Sequence, residues 1–141
     1  MSRIVIGIDG SGGGDRALEW GLAEATIRGT SPRVVYAIDW ERFKEGLLVA
    51  PSREDVEREA QGILDEALKR VTRPKGISVE TVVHHSTDRR GAAGALIDAT
   101  ESDDDLLVIG SRGLSGFAGA VLGSVSHRIL HHTCCPVVVG P

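Results

Sequence analysis

Two stretches of the chain carry residue types suited to chemistry: IDGSGGGD at 8–15 and GSRGLSGFAGAVLGSVSHRI at 110–129. The first sets Asp9 and a run of glycines between an apolar run and a helical pattern. The second spaces glycine at 110, 113, 116, 119 and 123 and then stops. So short a repeat, with no proline in it, is not a triple helix. Arg112, Ser115, Ser124 and Ser126 deny the Gly119–Gly123 pair the apolar span of about 20 residues that a membrane helix needs. Phosphate binding suits such a segment better. Residues without side chains let the backbone approach a ligand, and a helix amino terminus offers unpaired N–H groups and partial positive charge. Gly123-Ser124-Val125-Ser126 reads as such an entrance, with hydroxyl donors on Ser124 and Ser126 and charge from Arg112. A plainer reading stays open on spacing alone: glycines for turns and close helix packing, with Ser124 as a helix cap.

Other constellations carry less. GxxxxGK[ST] is absent and Asp15 breaks any GxGxxG after the first apolar run, which disfavours a P-loop NTPase or an ordinary dinucleotide-binding domain. The acidic pair that would accompany Asp9 in a phosphoacceptor site is missing. His127 and His131 have the i, i+4 spacing of metal ligands but no evident third ligand, and with Arg128 and His132 they suit a helix carboxyl end. No metal site is therefore expected from protein ligands. His84 and His85 read as solvated residues closing an edge strand, and Arg89-Arg90 as a solvated loop pair. Adjacent Cys134 and Cys135 read as two small buried thiols rather than a disulfide.

The elements that must position these residues alternate. Runs rich in Val and Ile at 4–8, 33–38, 77–83, 106–110 and 136–140 suit strands. Helical spacing of apolar residues covers 15–29, 52–71, roughly 91–101 and roughly 121–132. The second helix has the best signals, with Ser52 ahead of Glu54 and Asp55 and with Lys69 and Arg70 in its last turn. Alternation of strand and helix predicts a doubly wound α/β domain with a parallel sheet covered on both faces. Strands 4–8 and 106–110 are uninterrupted apolar runs, expected at the centre, while 77–83 mixes in polar residues and suits an edge. If the two central strands are adjacent, the two glycine-rich stretches flank one crevice at their carboxyl ends. The segment 39–53 is the longest connection and is expected to be a surface loop.

Composition bounds the rest. The chain has 141 residues, the size of one domain, expected to span 1–141, with 41% hydrophobic and 26% charged residues. A formal net charge of -4 gives no general pull toward nucleic acid or anionic lipid. MSRIVIGID is too short for a signal peptide, so a cytoplasmic location is expected.

Gly110-x2-Gly113-x9-Gly123-Ser124 resembles the G-x2-G-x9-G-(S/T) nucleotide motif of universal stress proteins. VIGIDGS, LLVIGSRG and GSVSHRILHHTCCPVVV resemble the same family, over essentially the whole chain. The resemblance implies a single open five-stranded parallel sheet of order 3-2-1-4-5 with helices on both faces. It also implies an ATP-binding protein acting in stress adaptation, commonly as a homodimer. Carried over by position, Gly7 and Asp9 lie near the adenosine, and Ala37 and Ile109 line the adenine pocket. Gly110 and Gly113 pass beneath ribose and phosphates, and Gly123, Ser124, Val125 and Ser126 hold the phosphates. Mg²⁺ would bridge phosphate oxygens without a protein carboxylate. The run Gly12-Gly13-Gly14 and the Arg89-Arg90-Gly91 segment depart from the family's more proline-rich pattern.

Three functions compete: an ATP-dependent regulator without catalytic residues, a slow ATPase or phosphotransferase, and a nucleotide-free interaction module. The intact glycine and serine set favours the first, and no base is evident for the second. AMP or ADP can compete for the same site. The apolar segment 136–140 forms an edge in the implied order, and an open apolar edge invites pairing, so an antiparallel homodimer through it is expected.

Overall fold

The computed structural model describes residues 2–41, 51–111 and 122–140. The β-branched runs form strands and the amphipathic runs form helices, giving β1 (Ile4–Ile8), α1 (Gly12–Arg28), β2 (Arg33–Ile38), α2 (Arg53–Arg70) and β3 (Glu80–His85). α3 (Gly91–Asp98), β4 (Leu106–Gly110), α4 (Ser124–His132) and β5 (Val137–Gly140) follow. All strand pairs are parallel and the order is β3-β2-β1-β4-β5, the order the family resemblance implied. β1 pairs β4 directly, Val5 opposite Leu107.

Alternation along each strand sorts the core into two layers. Ile4, Ile6, Val34 and Val108 face Leu18 and Leu22 of α1 and Leu64 and Ala67 of α2. Val5, Val35, Leu107 and Ile109 face Ala93 and Leu96 of α3 and Ile129 of α4. Consecutive central-strand residues point into opposite cores, which is why β1 is buried along its whole length.

Several boundaries differ from expectation: α3 ends at Asp98 and not near 101, α4 begins at Ser124 and not near 121, and β3 and α1 also start elsewhere. β3 begins at Glu80, not Ile77, because its ladder starts where β2 does: Glu80 N–H donates to the carbonyl of Pro32, and Arg33 pairs Glu80. Ile77 and Val79 still pack on the α1/α2 layer. α1 begins at Gly12, not Asp15, because Ser11 caps it: its hydroxyl accepts from Gly14 N–H at 3.2 Å and its carbonyl from Asp15 N–H at 3.0 Å. The three consecutive glycines are therefore the first helical turn and not a loop.

The amino ends of the strands are tied by polar groups away from the glycine-rich stretches. Asp105 is only 2% exposed and accepts from the backbone N–H of Arg3 at 2.8 Å, Glu101 at 2.7 Å and Ser102 at 3.3 Å. Burial alone would push its carboxyl up, but the three N–H groups and the Arg3 charge hold it below the usual carboxylate value. A depressed folded-state value means that this stabilisation is complete above the unfolded value of about 3.9 and fades as pH falls through the folded one. Asp105→Asn is expected to cost about 1–3 kcal/mol at neutral pH, since its amide turns donors toward donors. Its urea-measured stability should fall less steeply on acidification than the wild type's; an identical acid slope would refute this account.

Candidate functional site

β1 leads through α1 on one face of the sheet and β4 leads to α4 on the other, so the chain diverges at their carboxyl ends, the place where open α/β sheets take ligands in a crevice. On the β1 side, Asp9 Oδ1 accepts from Ser11 N–H at 2.9 Å. Gly10 takes φ +85°, a left-handed conformation that side chains disfavour, and Ser11 then opens α1. On the β4 side, Gly110 presses against that same first turn. A Cβ at Gly110 would lie 2.9 Å from both the carbonyl carbon and the oxygen of Gly13.

The two ends of the glycine motif meet across this crevice. Gly123 N–H donates to the Ser111 carbonyl at 2.6 Å, and the Ser126 hydroxyl donates to the Gly110 carbonyl at 2.7 Å. α4 thus starts directly on the end of β4. Its cap residue is Gly123, extended at φ −72° and ψ 164°, and among the described residues no side chain caps the helix. Ser124 is the first helical residue and is exposed, which overturns the plainer reading of Ser124 as the cap. The first-turn N–H groups of any helix lack intrahelical acceptors, so this uncapped end offers donors to an anion. Ser126 differs from expectation in one respect. It is 4% exposed, and its single O–H already serves Gly110, so toward a ligand it has a backbone N–H and not a hydroxyl donor.

Gly7, Ala37 and Ile109 lie on adjacent strands and share the α3/α4 face of the sheet. Ile109 is 3% exposed, and a Cβ on Gly7 would sit 2.9 Å from Leu96 Cδ2 and 3.3 Å from Ile109 Cγ2. The missing side chain at Gly7 is what seats Leu96 of α3. Val125 is half-buried against the same layer. Arg112 and Gly113, like Gly116 and Gly119, fall outside the described residues.

Sequence reasoning missed Ser11 and Ser111, which fix both loops. Ser11 had a signal, a hydroxyl residue two after an aspartate and directly before the helix; Ser111 acts only through its backbone and had none. The histidines closing β3 are not solvated as expected. His85 Nε2 lies 2.6 Å from Glu57 Oε1, Trp40 Nε1–H donates to His85 Nδ1 at 2.9 Å, and the two rings stack. His84 Nδ1 is buried without a hydrogen-bond partner among the described residues. Of the cysteines, Cys135 is buried but Cys134 is exposed, and both are free. Arg89 and Arg90 are exposed as expected, with Arg90 ion-paired to Asp88 and Asp98 at the surface. Among the described residues, no group of three or more His, Cys, Asp or Glu side chains is placed to hold a metal ion, and no helix is long and apolar enough to cross a membrane.

The model of the universal stress protein family matches residues 1–141. Universal stress protein Rv2624c of Mycobacterium tuberculosis is 31% identical over 143 residues, covering 99% of this chain and 48% of that protein. Universal stress protein YxiE of Bacillus subtilis is 28% identical over 149 residues, covering 99% of this chain and 98% of its own. The chain spans about half the length of the mycobacterial relatives it matches. Among solved structures, UspA from Lactobacillus plantarum superposes with a TM-score of 0.73 at 18% identity, covering 99% of this chain and 97% of that one. A universal stress protein in complex with cAMP gives 0.69 at 24% identity, with 99% and 97% covered. One from Archaeoglobus fulgidus in complex with dAMP gives 0.59 at 18% identity, with 100% and 98% covered. At these identities the likeness is one of fold.

Proposed function

From the premise that the chain belongs to the universal stress protein family, we propose that residues 1–141 form a nucleotide-binding regulatory domain that takes ATP with Mg²⁺ in the crevice between β1 and β4. One observation carries this reading: the uncapped amino end of α4 is stitched to the end of β4 by the Gly123–Ser111 and Ser126–Gly110 hydrogen bonds. The two ends of the glycine motif would thereby offer one surface to an anion. Phosphates would lie on the N–H groups of Ser124, Val125 and Ser126, with the exposed Ser124 hydroxyl as a further donor. Gly113 and the Arg112 charge belong to the same reading. The nucleoside would lie toward Asp9, whose Oδ2 remains for ribose or base while Oδ1 holds the Ser11 turn. Ala37 and Ile109 would supply its apolar backing, with Gly7 between them. Mg²⁺ would neutralise the phosphates from the solvent side. That two family members of this fold have been solved with adenine nucleotides, cAMP and dAMP, supports the class of ligand.

β5 is an edge strand with Val137 to Val139 only half-buried, so a second copy pairing antiparallel along 136–140 would cover an apolar edge. The regulatory output would then be a nucleotide-dependent change in the surface or pairing of a cytoplasmic homodimer.

A thermal-shift titration with Mg²⁺-ATP, followed by product analysis, tests the reading. Ligand at 100 times its dissociation constant should add about 2.7 kcal/mol to stability. Intact ATP after hours, with a clear shift, is the expected result; no shift with ATP, ADP or AMP would sink it. ADP accumulating in step with the protein, and lost in Gly123→Val, would make the site a slow ATPase instead.

A further inference from the structure

A second cationic feature lies on the α3/α4 layer, lined by none of the residues assigned to nucleotide. Between the two helices is a cavity of about 240 Å³ lined by Arg89, Arg90, Ala93, Gly94, Ile97, Arg128 and His132. Its charges are not equivalent. Arg90 Nη2 is committed, at 2.9 Å to Asp88 Oδ2 and 2.9 Å to Asp98 Oδ2. The side chain is laid along α3 by the absence of a Cβ at Gly94, which would otherwise come within 2.5 Å of Arg90 Cβ. Arg90 is therefore a wall of the cavity, its charge balanced by two aspartates. Arg89, Arg128 and His132 have no ion pair or hydrogen bond among the described residues. Two permanently charged guanidinium groups on one small cavity, unpaired among the described residues, are unexpected in a chain of net charge -4. Ala93 is 2% exposed and, with Gly94 and the half-buried Ile97, gives the cavity an apolar floor.

We propose that this α3/α4 cavity is an anion site for a phosphomonoester, the phosphate held between Arg89 and Arg128 with His132 beside it and the carbon group of the ester on the Ala93–Ile97 floor. Guanidinium forks match phosphate oxygens in geometry as well as charge, and an apolar floor adds area that a bare ion cannot use. The aspartates beside Arg90 sharpen the choice: their charges are already satisfied, and they hold Arg90 off the ligand. A free ester and a phosphorylated side chain on another protein present the same chemistry to this site. The inference is independent of the nucleotide reading, since none of these residues is assigned there.

The test is titration of the full chain with phenyl phosphate and with a phosphoserine peptide, followed by NMR, in the presence of saturating Mg²⁺-ATP. Saturable binding is expected, with shifts confined to α3 and α4, at least several-fold tighter than inorganic phosphate. Arg128→Ala and Arg89→Ala should each weaken it by about tenfold while leaving the thermal midpoint unchanged, since both side chains are exposed. Tighter binding of the peptide assigns the site to a protein partner, and tighter binding of the free ester assigns it to a metabolite. The proposal is overturned by absent binding, by equal binding of inorganic phosphate, by binding unchanged in both variants, or by a signal that appears only without ATP. Failure of ATP to shift the melting point, with phenyl phosphate still bound at α3 and α4, would remove the nucleotide reading and leave this one standing.

Discussion

Gly110→Val should markedly weaken the stabilisation by Mg²⁺-ATP while leaving a folded protein. The reason is the neighbour its side chain would meet: the Gly13 carbonyl group, 2.9 Å from the new Cβ, is backbone and cannot rotate aside. Either the first turn of α1 or the end of β4 must move. If β4 moves, the Gly110 carbonyl carries the Ser126 hydrogen bond with it, and the amino end of α4 loses its position against β4. Overpacking of this kind costs about 1–3 kcal/mol, which in binding terms is roughly 5- to 150-fold. Gly110→Ala should show a smaller form of the same loss. The control is Gly140→Ala on the paired strand, opposite Gly110 in register, where the added Cβ would lie 3.6 Å from the Ile109 carbonyl oxygen, an ordinary contact. It should keep the full ATP shift. A wild-type ATP shift in Gly110→Val would mean that the crevice between β1 and β4 is not where the nucleotide sits.

That contrast also separates what the residue pattern revealed from what it did not. The central place of β1 and β4 was legible because uninterrupted Val and Ile runs suit strands covered on both faces, whereas the full strand order came from the family resemblance. The convergence of Gly110 with Gly123 was legible as spacing, since a family motif records which positions must lack side chains. The means of that convergence was not. Ser111 acts through its carbonyl, and a backbone acceptor leaves no trace in residue type. Ser126 looked like a phosphate donor because a hydroxyl at a helix start usually faces outward; here burial turned it inward onto Gly110. His85 illustrates the same limit, because its partner Glu57 comes from α2 and its partner Trp40 from beyond β2, and only the fold brings them together. The Arg89 and Arg128 cavity belongs to this class too: each arginine alone reads as a solvated charge.

Glycines with similar surroundings in sequence should respond in opposite directions. Gly21 and Gly62 both lie inside helices, where alanine is intrinsically favoured over glycine by about 1 kcal/mol. At Gly62 nothing lies within 4 Å of the added Cβ, so Gly62→Ala should raise stability by about 0.5–1 kcal/mol. At Gly21 the added Cβ would lie 2.5 Å from Ile6 Cδ1 and 2.7 Å from Ile6 Cγ1. Ile6 is fully buried in the layer with Leu18, Leu22 and Val108, so it has no space to rotate into. Gly21→Val should therefore lower stability by about 3 kcal/mol or more, with overpacking outweighing the helix gain. Ile6→Ala alone should cost about 2–5 kcal/mol through its cavity. Combined, the two changes should be less damaging than their sum by at least about 1 kcal/mol, because the valine at 21 fills what the isoleucine vacates. Urea denaturation with unchanged m-values measures all four proteins. Strict additivity would show that α1 does not seat on β1 through this contact, and a stabilised Gly21→Val would show that the helix and the sheet stand further apart than the Gly21–Ile6 geometry requires.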